Sequence, residues 1–96
     1  MIRNIALWKF RPGTTREQVE ALISAIQAMP IPGLRGLSFG SDLGLREGNM
    51  SFAVVYDFED EASYRAFDTD PEHDRIRRDL AAPILEQAER CQYRLS

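Results

Sequence analysis

One histidine stands in this sequence, His73, set in the run Asp70-Pro71-Glu72-His73-Asp74. Imidazole has an ordinary pKa of ~6.5, close to neutrality, so general-base chemistry in this chain would fall to His73. A base needs a donor or an orienting group beside the same substrate atom. Tyr56 and Tyr64 carry hydroxyls suited to donation, and Asn4 carries an amide able to orient a carbonyl. The sharpest chemical hypothesis therefore makes His73, Tyr56 and Tyr64 catalytic, with Asn4, Trp8 and Phe67 lining a ligand cavity. Against it stands a structural reading, in which His73 packs or caps at a helix junction and the tyrosines are core aromatics with hydroxyls at the edge. Trp8 either fills the cavity or forms one of its walls.

Two other groups invite chemistry. Asp57, Glu59, Asp60 and Glu61 crowd one turn, but neighbouring side chains there point in different directions, which favours a solvated helix start over a metal site. Cys91 stands alone, so an intramolecular disulfide is impossible, and with no base beside it a small buried hydrophobe is the plainer reading. No motif calls for a metal or a cofactor.

The elements that must position these groups centre on Met50 to Ile76. Phe52, Val54, Tyr56 and Phe58 alternate with Ala53, Val55 and Asp57, and both faces are apolar over most of the run, which predicts a central strand covered on both sides. Glu59-Asp60-Glu61 then starts a helix through Ala62, Tyr64, Ala66 and Phe67. Asp70-Pro71 breaks it and opens a second helix, Asp70 as N-cap and Pro71 at the first position. His73 thus lies at the junction.

Residues 2 to 11 predict a first strand, with Ile2, Asn4, Ala6, Trp8 and Phe10 on one face and Ile5 and Leu7 on the other. Pro12-Gly13 turns the chain. Thr14-x-x-Glu17 matches a capping box for a helix over 15–29, whose apolar stripe is Val19, Leu22, Ile23, Ile26 and Met29. Two prolines, Pro30 and Pro32, end it. Leu34 to Asp42 reads as a weaker edge strand, and Leu43 to Asn49 as a connection long enough to be mobile and to cover something. Ile76, Leu80 and Ile84 continue the second helix inward until Pro83 resets it, and Glu89 to Leu95 alternates as the last strand.

The order is strand, helix, strand, strand, helix pair, strand: an α+β, ferredoxin-like βαββαβ fold with a four-stranded antiparallel sheet, in one domain over residues 1–96. Both helical layers fall on one face. Ile5, Leu7, Ala53 and Val55 are left on the other, and an uncovered apolar face predicts a homodimer built face to face as a dimeric α/β barrel. Composition agrees with a soluble globular domain: 44% hydrophobic, 28% charged, net charge −3 and pI ≈ 5.1. That balance argues against nucleic acid as a partner, and no apolar run is long enough for a membrane span or a signal peptide, so a cytoplasmic location is expected.

Taken together, IRNIALWKFRPGTT, SDLGLREGN, AVVYDFEDEASYRAFDTDPEH and LAAPIL resemble the stress-responsive dimeric α/β-barrel (Dabb) family over essentially the whole chain. The resemblance implies the dimeric barrel and leaves activity open, since most members have no assigned reaction. One plant member cyclises a linear polyketide without metal or cofactor, using the second histidine of a His-Pro-x-His motif, a tyrosine six residues earlier and a histidine in the first strand. Here those positions hold His73, Phe67 and Asn4. Two readings follow: a dimer that binds a small apolar or aromatic molecule, or none, and a cofactor-independent enzyme of the polyketide-cyclase kind with His73 as base and Tyr56 or Tyr64 as donor.

Overall fold

The computed structural model describes residues 1–95. Strand β1 (Ile2–Phe10) leads into helix α1 (Arg16–Ala28), then β2 (Leu34–Ser41), β3 (Phe52–Phe58), α2 (Glu61–Asp68), α3 (Pro71–Ile76), a π-helical turn (Arg77–Ala81) and β4 (Leu85–Arg94). The strands form one antiparallel sheet in the order β2-β3-β1-β4, so the two strands with the strongest alternation, β1 and β3, are the inner pair.

Register decides which side chains share a face. Asn4 opposes Tyr56, Ala6 opposes Val54 and Trp8 opposes Phe52, all on the side the helices cover. Phe58, Leu22, Ile76 and Val54 are the largest fully buried side chains there. Leu22, Ile23 and Ile26 carry the α1 stripe into that core. The opposite face presents Ile5, Leu7, Ala53 and Val55, with Leu7 38% exposed and no helix over it.

The caps show how local chemistry sets the helices. Asp60 accepts from the Ser63 amide at 2.8 Å, Asp70 accepts from the Glu72 amide at 2.8 Å, and Pro71 follows at the first helical position. The α1 capping box lies one residue later than Thr14/Glu17. Thr15 accepts from the Gln18 amide at 3.2 Å and Gln18 Oε1 accepts from the Thr15 amide at 2.8 Å, while Thr14 is drawn back to the Arg11 carbonyl at 2.7 Å. Glutamine and glutamate serve equally at that position, so the sequence offers two registers and the turn at Gly13 selects one.

Two further expectations are corrected. The last strand begins at Leu85, not Glu89, because β4 pairs along the whole of β1 as far as Phe10 opposite Leu85; the preceding helix ends at Ala81, and Ile84 is buried from a turn. Cys91 is exposed rather than buried. It opposes Ile5 on the helix-free face of an edge strand. Among the described residues no helix is long and apolar enough to cross a membrane.

Gly33 ties the start of β2 to the entry of α2. Its φ of +84° suits glycine, its carbonyl accepts from the Glu59 amide at 2.7 Å, and a Cβ there would collide with the Ser63 side chain. Gly33→Ala is expected to destabilise the fold by about 1–3 kcal/mol through left-handed strain and displacement of the α2 cap. Thermal unfolding should then shift down by roughly 5–15 °C. An unchanged midpoint would refute the contact.

Candidate functional site

A cavity of about 100 Å³ lies between the sheet and the α2–α3 junction. Asn4, Trp8, Tyr56, Tyr64, Phe67 and His73 all line it, so the six residues singled out from sequence converge on one space. Period-two alternation brings Asn4 and Tyr56 to the same face as directly opposed partners. Helical spacing on α2 brings Tyr64 and Phe67 down onto them, and the Asp70-Pro71 break turns His73 back toward the sheet.

Phe67 organises the site. Its ring packs 5.1 Å from Tyr56, 5.3 Å from Phe58 and 3.8 Å from the His73 imidazole, which stacks on it at 24°. Its backbone carbonyl meets His73 Nδ1 at 3.0 Å. A carbonyl only accepts, so Nδ1 carries the proton in the neutral ring and Nε2 holds the lone pair. Burial, and secondly the Arg77 guanidinium, hold the His73 pKa below its ordinary value of 6.5.

Nε2 and the Tyr56 hydroxyl each lack a hydrogen-bond partner among the described residues. Yet no fully enclosed side-chain nitrogen or oxygen there is unpartnered. Both atoms therefore keep some accessible surface, and both residues line the cavity. Burial pushes the Tyr56 phenol up to about 12, with Arg77 opposing, so it stays protonated and donates. A protonated donor and a lone-pair base facing one space are the elements of a proton-transfer site.

Asn4 and Tyr64 are engaged otherwise. Gln92 on β4 donates to Asn4 Oδ1 at 2.6 Å and to the Tyr64 hydroxyl at 3.3 Å. Gln92 was legible only as one half of the tail's alternation. Trp8 is a wall and not a plug: it stacks on Phe52 at 5.8 Å and leaves the cavity open beside it. Arg77 is another residue that sequence reasoning missed. It lines the cavity while pairing with Asp68 at 2.6 Å and Asp74 at 3.3 Å, three turns of chemistry scattered over 68–77 with no motif to mark them.

The carboxylates of the strand-to-helix turn do diverge. Asp57 pairs with Arg3 at 2.8 Å, Glu59 with Arg35 at 3.0 Å and Glu61 with Arg65 at 2.9 Å, while Asp60 caps α2. Each is spent on a separate structural contact.

A ferredoxin-like α+β fold, one sheet face bare and a histidine-lined cavity under the other, defines the class. The chain belongs to the stress responsive A/B barrel (Dabb) family, whose model matches residues 2–93. It is similar to a dimeric ferredoxin-like protein of unknown function from Thermobifida fusca YX, at 40% identity over 98% of this chain and 90% of that one, with a TM-score of 0.86. A Dabb family protein from Mesorhizobium loti MAFF303099 shares the fold at 16% identity over 99% of this chain and 96% of that one, with a TM-score of 0.79. A hydroxynitrile lyase from Passiflora edulis does so at 19% identity over 99% and 93%, with a TM-score of 0.84. At such low identity these two likenesses concern the fold alone. A search of curated proteins finds no match.

The lowered His73 pKa fixes a pH dependence. Just below pH 6.5 the folded ring binds fewer protons than the unfolded one, so stability rises with pH from the lowered pKa up to 6.5 and levels off above it. NMR titration of the lone histidine should show a midpoint below 6.5. A midpoint at or above that value would place the ring in solvent.

Proposed function

We propose that this chain is a homodimer in which each protomer binds a small carbonyl compound beside His73 and moves a proton on it without a cofactor. The observation that carries the reading is the pairing of an unpartnered, lone-pair Nε2 with an unpartnered, protonated Tyr56 hydroxyl on one cavity. His73 Nε2 takes a proton from the carbon next to the carbonyl, and Tyr56 donates a hydrogen bond to the oxygen as negative charge gathers there. Arg77 keeps the resting imidazole neutral and so able to accept a proton; its charge opposes the imidazolium formed in the step and favours the enolate oxygen. Asn4 and Tyr64, held by Gln92, shape the wall.

Volume limits the substrate. About 100 Å³ corresponds to roughly three waters of liquid space, too little for a linear polyketide. The polyketide-cyclase reading is therefore narrowed to a compound of a few heavy atoms. Phe67 in place of the family enzyme's tyrosine supports a change of donor, from α2 to Tyr56 on β3. A binding protein without turnover is the second reading, favoured by Asn4 standing where that enzyme has a histidine.

The dimer is proposed through the helix-free face, since Ile5, Leu7, Ala53 and Val55 form an apolar surface that water would otherwise cover. A dimeric relative at 40% identity supports it. Val55→Asp places a charge at the centre of that face and should give a monomer by size-exclusion chromatography with light scattering, and an unchanged dimer would move the interface elsewhere.

For the chemistry, deuterium exchange at the methyl group of pyruvate in D₂O can be followed by proton NMR. Exchange should exceed the buffer rate with the wild-type protein and fall by about 10²–10⁴-fold with His73→Gln. Equal rates for the two proteins would remove the proton-transfer role and leave the binding reading.

A further inference from the structure

A larger concavity than the His73 cavity lies elsewhere among the described residues. A groove of about 710 Å³ runs between α1 and the β2 edge, on the helix side of the sheet. Phe39 opposes Val54, which places it on the covered face, yet α1 does not reach it and it stays 40% exposed. Its ring stacks on Phe52 at 6.3 Å, and Phe52 in turn packs 5.8 Å from Phe10. Val19 and Ile23 complete an apolar wall from α1.

The rim has the opposite sign to the chain. Its charged residues are Arg11, Arg16 and Glu20, two positive and one negative, on a protein of net charge −3. Glu20 is matched by Arg16 at 3.5 Å. Arg11 has neither a carboxylate partner nor a side-chain hydrogen bond among the described residues, although most guanidinium groups of this chain are paired. An open aromatic floor beside one uncompensated cation is complementary to a molecule with an apolar body and a single anionic head.

We propose that this groove is a second binding site, taking an alkyl or aryl carboxylate with its tail on Phe10, Phe39 and Phe52 and its head on Arg11. The site is separated from the His73 cavity by the stacked Trp8–Phe52 pair, Trp8 lining the one and Phe52 the other. It also lies across the sheet from the face proposed for dimerisation, so neither reading depends on it.

Octanoate is the probe and octan-1-ol its neutral counterpart, each titrated into the full chain and followed by amide chemical shifts. Saturable shifts at Arg11, Phe39 and Phe52 are expected with octanoate, with the His73 ring unmoved. Arg11→Gln should weaken octanoate by about tenfold and leave octan-1-ol unchanged. Phe39→Ser, on an exposed edge position, should weaken both. No saturable shift up to about 1 mM would overturn the proposal, as would shifts centred on the His73 cavity or octan-1-ol binding as tightly as octanoate.

Discussion

The placement of Phe67 is the contact on which the rest of the site depends. One residue does two jobs: its ring wedges α2 against Tyr56 and Phe58 on β3, and its carbonyl at the end of α2, which also accepts from the Asp70 amide at 3.2 Å, holds His73 Nδ1. Carbonyls at a helix end lie outside the regular helical ladder, and this one is shared between the Asp70 amide and a side chain six residues on. The imidazole is thereby fixed in tautomer and stacked on the Phe67 ring at the cavity wall. Remove the ring and the helix loses its seat; remove the carbonyl and the base loses its orientation.

The sheet beneath is built so that one residue of alternation separates two roles. On β1 and β3, Asn4 and Tyr56 face the helices while Ile5 and Val55 face away. Because strand side chains have a period of two, chemistry and proposed assembly occupy opposite sides of the same backbone and cannot compete for residues. The cost falls on the edges. β2 is glycine-rich and leaves Phe39 uncovered, and β4 is exposed along most of its length.

Under the resemblance to the plant cyclase, His73 stands at that enzyme's histidine while its companions are changed. Phe67 cannot donate, and Asn4 is already occupied by Gln92. Burial compensates in kind: it keeps the imidazole neutral and the Tyr56 phenol protonated, which is the pair of states a proton transfer near neutrality requires. Under the proposed role, donor and base come from β3 and α3, elements that Phe67 locks together.

Much of this was legible from the sequence because it is local. Alternation in β1 and β3, the α1 stripe, the acidic start of α2, the Asp70-Pro71 cap and the bare face all follow from residues within a turn or two of one another, where the periods of strand and helix act. Six of the residues lining the cavity could be chosen for the same reason, since each sits at a stated phase of a local pattern. What only the tertiary structure decided involves residues far apart in the chain. Gln92 reaches Asn4 across 88 positions, β4 starts at Leu85 because β1 continues to Phe10, and Cys91 is exposed because it lies on the helix-free face of an edge strand. The size of the cavity, the tautomer of His73 and the groove beside α1 belong to the same class: they depend on how close separate elements approach, and that distance is set by packing among all of them at once.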